Sequence, residues 1–145
     1  MDIEIAGRKI GLNHKPFVIA EMSGNHNNNL KRALALVDAA ADAKVDALKI
    51  QTATPDGLTL NLSSEDFTIS DKKSLWNGRT LYDLYKEAVT PWDWHEAIFE
   101  RCKEYDIIGF SSPFELGAID FLEKLNVPCY KIASFELVDL PLIKK

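Results

Sequence analysis

The residues best equipped for chemistry recur at one kind of position. Glu21, Lys49 and Gln51, Ser111 and Ser112, then Lys131, Ser134 and Glu136 lie from the middle to just past the C-terminal end of four short apolar runs. The runs are FVIAEMS (17–23), ALKIQT (47–52), IIGFSS (107–112) and CYKIAS (129–134). Two lysines with several hydroxyls suit a phosphate and a carboxylate, since lysine brings a compact point charge and serine a short donor. A carboxylate beside them suits general acid–base work or the orientation of a sugar hydroxyl. The set reads as an anion site. It holds no nucleophile with an adjacent base and no complete group of metal ligands.

Taken singly, each member has a plainer reading. A lysine near a strand end often snorkels to solvent. In LKIQ and YKIA, however, the lysine stands inside the run, where it must point into a binding site or into an interior that is hard to satisfy. Ser111-Ser112-Pro113 could cap the following helix, and Glu21 could bond to neighbouring backbone. SGNHNNN (23–29) is turn chemistry, although His26 falls directly above the expected rim and reads as functional. His14 and His95 read as structural or exposed. Trp92 and Trp94 read as core, and Trp76 as a surface able to stack on a sugar.

The elements that would position these groups alternate. Each apolar run reads as a strand covered on both faces. The first helix is NLKRALALVDAAADAK (29–44), with Leu30, Ala33, Leu34, Val37 and Ala41 on one face and Asn29 as N-cap. Thr90-Pro91 announces a second as cap and first-turn proline, and a third follows Pro113. Residues 2–12 read as a hairpin, and the polar stretch 53–79 as a loop over the active face. Strand–helix alternation implies parallel strands with crossover helices. No glycine-rich phosphate loop follows the first strand, which disfavours a dinucleotide-binding sheet. A (β/α)8 barrel needs about 250 residues, so the α/β reading is the N-terminal half of a TIM barrel preceded by a β-hairpin. In such a barrel the C-terminal strand ends form the catalytic face, where the polar residues converge.

The 145-residue chain is 46% hydrophobic and 27% charged, with net charge −5. It has no basic stripe interleaved with aromatics, which argues against nucleic acid or a polybasic membrane surface. Its apolar runs are too short to span a bilayer. Two isolated cysteines, Cys102 and Cys129, fit a reduced cytoplasmic protein. The amphipathic segment LPLIKK suggests that the chain is the N-terminal part of something longer.

At these residues the sequence resembles the sialic acid synthase family. The carriers are IAEMSGNH (19–26), LKIQT (48–52), FSSPF (110–114) and YKIASFE (130–136), in the family's order at successive strands. Within the family, KIQTATPDGLTL, LWNGRTLYDLYKEAVTPWDWH and ASFELVDLPLI most resemble pseudaminic acid synthases. The resemblance implies condensation of phosphoenolpyruvate with a 2,4-diacetamido-2,4,6-trideoxy hexose. It implies that Lys49, Ser112, Lys131 and Ser134 bind the phosphate and carboxylate of phosphoenolpyruvate. Glu21, Gln51 and Glu136 would face the sugar and the reacting carbons, with Asn25 and His26 nearby and Asn77 contributed by the insert. Glu21, Glu136 and His26 are the catalytic candidates. It further implies a divalent metal, usually Mn2+, held by two histidines in the second half of the barrel, where it polarises the sugar aldehyde. A C-terminal antifreeze-like domain would cap the partner's barrel in a swapped homodimer. With those parts absent, residues 1–145 are expected to be inactive alone and to leave two open sheet edges. Neuraminate or legionaminate synthesis, a Schiff-base lyase and a non-catalytic sugar-phosphate-binding fragment are the competing readings.

Overall fold

The computed structural model describes residues 2–145. Strands β1 (Ile3–Ile5) and β2 (Arg8–Ile10) form an antiparallel hairpin. Its two-residue turn sets φ at +47° for Ala6 and +81° for Gly7, the left-handed pair that matches strand twist and that glycine adopts without strain. Arg8 Nε donates to Asp46 Oδ1 at 2.9 Å and so ties the hairpin to the loop entering the sheet.

Three parallel strands follow, β3 (Ile19–Glu21), β4 (Ala47–Thr52) and β5 (Ile108–Pro113), in that spatial order. Helix α1 (Leu30–Asp42) joins β3 to β4. Asn29 caps α1 as expected, its side chain accepting from Arg32 N at 3.0 Å. Between β4 and β5 run α2 (Pro55–Leu58), α3 (Leu81–Ala88) and α4 (His95–Glu104), and α5 (Leu116–Lys124) follows β5. A 3-10 turn at Phe135–Val138 and helix α6 (Leu140–Lys144) complete the chain. Parallel strands with helices packed on one side are the N-terminal part of a (β/α)8 barrel.

The alternation of side chains along each strand divides the sheet. Leu48 and Ile50 of β4 and Met22 after β3 join Val37, Ile98, Phe99, Cys102 and Leu122 in the core between sheet and helices. Lys49 and Gln51 therefore point to the opposite face. In-register partners share that face: Glu21 pairs with Lys49, Lys49 with Phe110, and Gln51 with Ser112.

Several expectations need correction. The run 129–134 is not a strand: Tyr130 makes an isolated parallel bridge to Ser111, and Lys131 N donates to Ser111 O at 3.1 Å. Beyond these two contacts no ladder extends among the described residues, and Lys131 is exposed rather than buried. The first strand is shorter than 17–23, because Val18 N is taken by the Asp46 carboxylate at 2.7 Å. Thr90 does not cap a helix. A 3-10 turn at Trp92–Trp94 comes first, and its N-cap, Pro91, makes no side-chain capping bond. Ser111 and Ser112 lie inside β5 and cap nothing; Glu115 takes the N-cap position of α5. The insert 53–79 is not all loop. It contains α2, capped by Thr54, and a 3-10 turn at Glu65–Phe67, and Thr68 bridges to Thr80, the cap of α3.

Candidate functional site

The strand register assembles the site. Directly across the β3–β4 ladder, Lys49 Nζ pairs with Glu21 Oε2. Lys49 is buried, and the second oxygen of Glu21 accepts from Ser23 N at 3.0 Å. The carboxylate is thereby aimed by the backbone of the loop after β3, and the ammonium by the carboxylate. One residue pair further along, Gln51 and Ser112 stand side by side. Ser112 Oγ is buried and has no hydrogen-bond partner among the described residues. Glu136, in the 3-10 turn after the fourth apolar run, likewise has its Oε2 buried with no partner. Buried polar atoms are nearly always satisfied; a third such atom, Asp38 Oδ1 on α1, lies 3.5 Å from Arg101 Nη1, which leaves Ser112 and Glu136 as the two that a ligand could complete.

A cleft of about 490 Å3 opens over these strand ends, with Ser23, Gln51 and Glu136 on its polar side and Leu58, Tyr85, Val89 and Phe114 among its apolar lining. Glu21, Lys49, Gln51, Ser112 and Glu136 are thus gathered by the inner face and the cleft above it.

The other candidates are not gathered there. Lys131 and Ser134 are exposed on the segment beyond β5. Asn77 is exposed in the insert, its N–H donating to Ser74 O at 3.2 Å. The Asn25 side chain turns back to Met22 O at 2.9 Å. His26 lies below the rim rather than above it, fully buried against the edge of Trp94 at 5.5 Å between ring centres. Its Nδ1 accepts from Asn28 N at 3.1 Å, so the hydrogen sits on Nε2 and is directed at Thr90 Oγ1, 3.2 Å away. Burial lowers its pKa. Both nitrogens are occupied within the protein, and the ring holds the β3 loop against the segment that leads into α4.

Sequence reasoning missed a second polar group, on the helix side of the sheet. Thr52 Oγ1 lies 2.8 Å from His95 Nε2 and 2.6 Å from Ser111 Oγ, and all three residues are buried. His95 Nδ1 donates to Pro91 O at 3.1 Å, so Nε2 is the acceptor for the Thr52 hydroxyl. Burial pushes the His95 pKa down to about 4. Ser111, expected at the rim, instead locks β4, β5 and α4 together from behind. Alternation along β5 was the available signal, since Ser111 and Ser112 must face opposite ways. His95 fits the structural role expected of it. The tryptophans of the 3-10 turn pack as expected too, Trp92 stacking on Phe121 at 4.9 Å.

Among the described residues no group of three His, Cys, Asp or Glu could hold a metal ion. No described helix is long and apolar enough to cross a membrane.

Comparison with known proteins bears on what this face does. Residues 36–145 match the model of the NeuB family. The chain belongs to the NeuB family. Two bacterial pseudaminic acid synthases are similar to this NeuB-family chain. That of Campylobacter jejuni (strain 81-176) is 51% identical over 86% of this chain and 36% of the relative; that of Helicobacter pylori is 45% identical over 90% and 38%. The chain therefore spans little more than a third of these curated relatives. Among solved structures, an N-acetylneuraminic acid synthetase from Leptospira borgpetersenii, crystallised in complex with citrate, superposes with a TM-score of 0.79. It is 29% identical, and the match covers 99% of this chain and 45% of that one.

Proposed function

We propose that the protein carrying this chain is a pseudaminic acid synthase. It joins phosphoenolpyruvate to the open-chain aldehyde of a 2,4-diacetamido-2,4,6-trideoxy hexose and releases inorganic phosphate. Residues 1–145 supply the N-terminal part of its barrel. The observation that carries the reading is the pair of buried, unpartnered polar atoms, Ser112 Oγ on β5, next to the strand that holds Lys49, and Glu136 Oε2 in the turn that follows. Identities of 45–51% to relatives named for this reaction support the choice of sugar.

The residues of this chain divide the task. Lys49 and Ser112 bind the anionic groups of phosphoenolpyruvate, joined by Lys131 and Ser134 from the segment beyond β5. Glu21 holds the Lys49 ammonium at the inner face until the anion arrives. Gln51 and Glu136 meet the sugar and the reacting carbons. The enol carbon C3 attacks the aldehyde, water adds at C2, and the C2–O bond breaks so that phosphate leaves with its bridging oxygen. Holding both reactants over one strand end converts a bimolecular encounter into a local one.

A divalent metal, a partner subunit and a cytoplasmic setting complete the reading. By the family resemblance, the metal would be held by two histidines in the second half of the barrel. The test is phosphate release by the full-length protein from phosphoenolpyruvate with each of two sugars. Release with the diacetamido-trideoxy hexose supports the reading. Release only with N-acetylmannosamine replaces it with neuraminate synthesis.

A further inference from the structure

The cleft over the strand ends has one wall that the anion chemistry does not use. Leu58 from α2, Tyr85 from α3, Val89 just after α3 and Phe114 just after β5 line the cleft together with Gln51 and Glu136 and give it apolar surface. The wall is fastened at three places. Glu115 Oε1 accepts from Thr54 N at 2.7 Å and seats the start of α2 beside the end of β5. Gly57 leaves room for that carboxylate, since a Cβ there would lie 2.9 Å from Glu115 Oε1. Tyr82 OH donates to Asp56 Oδ1 at 3.1 Å and joins α3 to α2. The third fastening is Gly24 in the loop after β3. A Cβ on it would lie 3.0 Å from Ala88 O, so the end of α3 sits directly against the β3 rim. Loops over a barrel mouth are ordinarily its most mobile part; this one is tied to the β3 loop and to the segment after β5.

We propose that this α2–α3 wall selects the sugar, binding its methyl groups while Gln51 and Glu136 meet its polar side. The inference rests on the synthase reading above and adds the element that sets substrate choice. At about 490 Å3 the cleft has the size of a small-molecule site. Its division into a polar side and an apolar wall matches a deoxygenated sugar, which carries a C6 methyl and two acetamido methyls in addition to its polar groups. A hydroxylated hexose would place a C6 hydroxyl against Leu58, Tyr85, Val89 or Phe114, where none of the four side chains except the Tyr85 phenol offers a hydrogen bond.

The experiment measures phosphate release by the full-length protein with the 6-deoxy sugar and with its 6-hydroxy analogue, in wild type and in Leu58→Ala and Val89→Thr. Val89→Thr is close to isosteric and keeps the fold. The wild type is expected to prefer the 6-deoxy sugar about 10-fold or more, and each variant to raise the KM for that sugar roughly 10-fold. The KM for phosphoenolpyruvate should stay unchanged in both variants. Equal use of the two sugars by the wild type, or variants that shift neither KM or both together, would overturn the wall's role while leaving the synthase reading standing. A wild type that releases no phosphate with any amino sugar would remove the synthase reading and this inference with it.

Discussion

Glu21 and Lys49 face each other across the β3–β4 ladder and pair through their side chains on the face of the sheet opposite α1 and α4. Lys49 is buried while Glu21 stays partly open to solvent, with side-chain exposures of 11% and 39%. The lysine is thus held by a partner that can hydrate when the ammonium turns to another anion.

Replacing that lysine separates binding from folding. Lys49→Met in the full-length protein should weaken phosphoenolpyruvate binding roughly 10- to 100-fold, the worth of a hydrogen bond to a charged group. Stability should hold, because methionine packs in the space and the freed Glu21 carboxylate reaches water. Lys131→Met, at an exposed position, should change stability by less than about 0.5 kcal/mol while also weakening the anion. Titration calorimetry and denaturant melts report the two effects independently.

Ser112 gives a sharper separation. Its Oγ is buried and unpartnered, so Ser112→Ala removes an unsatisfied group. The variant should be as stable as wild type or more stable, by up to about 1 kcal/mol, and bind phosphoenolpyruvate about 3- to 10-fold more weakly. A loss of stability with unchanged binding would assign the hydroxyl to the fold.

Behind the sheet, the Thr52 hydroxyl is shared by His95 and Ser111. Thr52→Val keeps the shape and strands His95 Nε2 in the core, and should cost about 1–3 kcal/mol in urea unfolding. Asn29→Ala, which removes only an exposed cap, should cost about 1 kcal/mol.

His95 also makes stability depend on pH. Burial pushes its pKa from 6.5 down to about 4 in the folded protein, so the unfolded chain binds a proton first as pH falls. Its contribution is complete above about pH 6.5, is lost progressively between 6.5 and 4, and is flat below. The total loss is on the order of 3 kcal/mol, the free energy that separates the two proton affinities. The buried His26 acts in the same direction. Melts at pH 7.5, 6 and 5 should show a steeper decline for wild type than for His95→Gln.

Much of this was legible in the sequence because it depends on local pattern. Apolar runs of six or seven residues with amphipathic stretches between them specified parallel strands and covering helices, and Asn29 marked its helix start. Lys49 and Gln51 lie within the strand read from ALKIQT, and its alternation turns both to one face. What depends on a neighbour distant in sequence was not legible. CYKIAS has the composition of a strand, but its pairing among the described residues stops at the single bridge from Tyr130 to Ser111. Ser111 and Ser112 look alike in sequence, yet one faces α4 and the other the opposite face of the sheet beside Gln51. His26 and Thr90 are 64 residues apart, and His95 and Thr52 are 43 apart, so neither contact leaves a trace in spacing.

Whether the strand-end site runs the proposed condensation is decided by an isotope experiment. Phosphoenolpyruvate labelled with 18O in the bridging C–O–P position is incubated with the full-length protein, divalent metal and the diacetamido-trideoxy hexose. Phosphate should be released only when the sugar is present, and the label should appear in that phosphate, as C2–O cleavage requires. Label retained in the organic product, or no release with this sugar, would be incompatible with the proposed reaction.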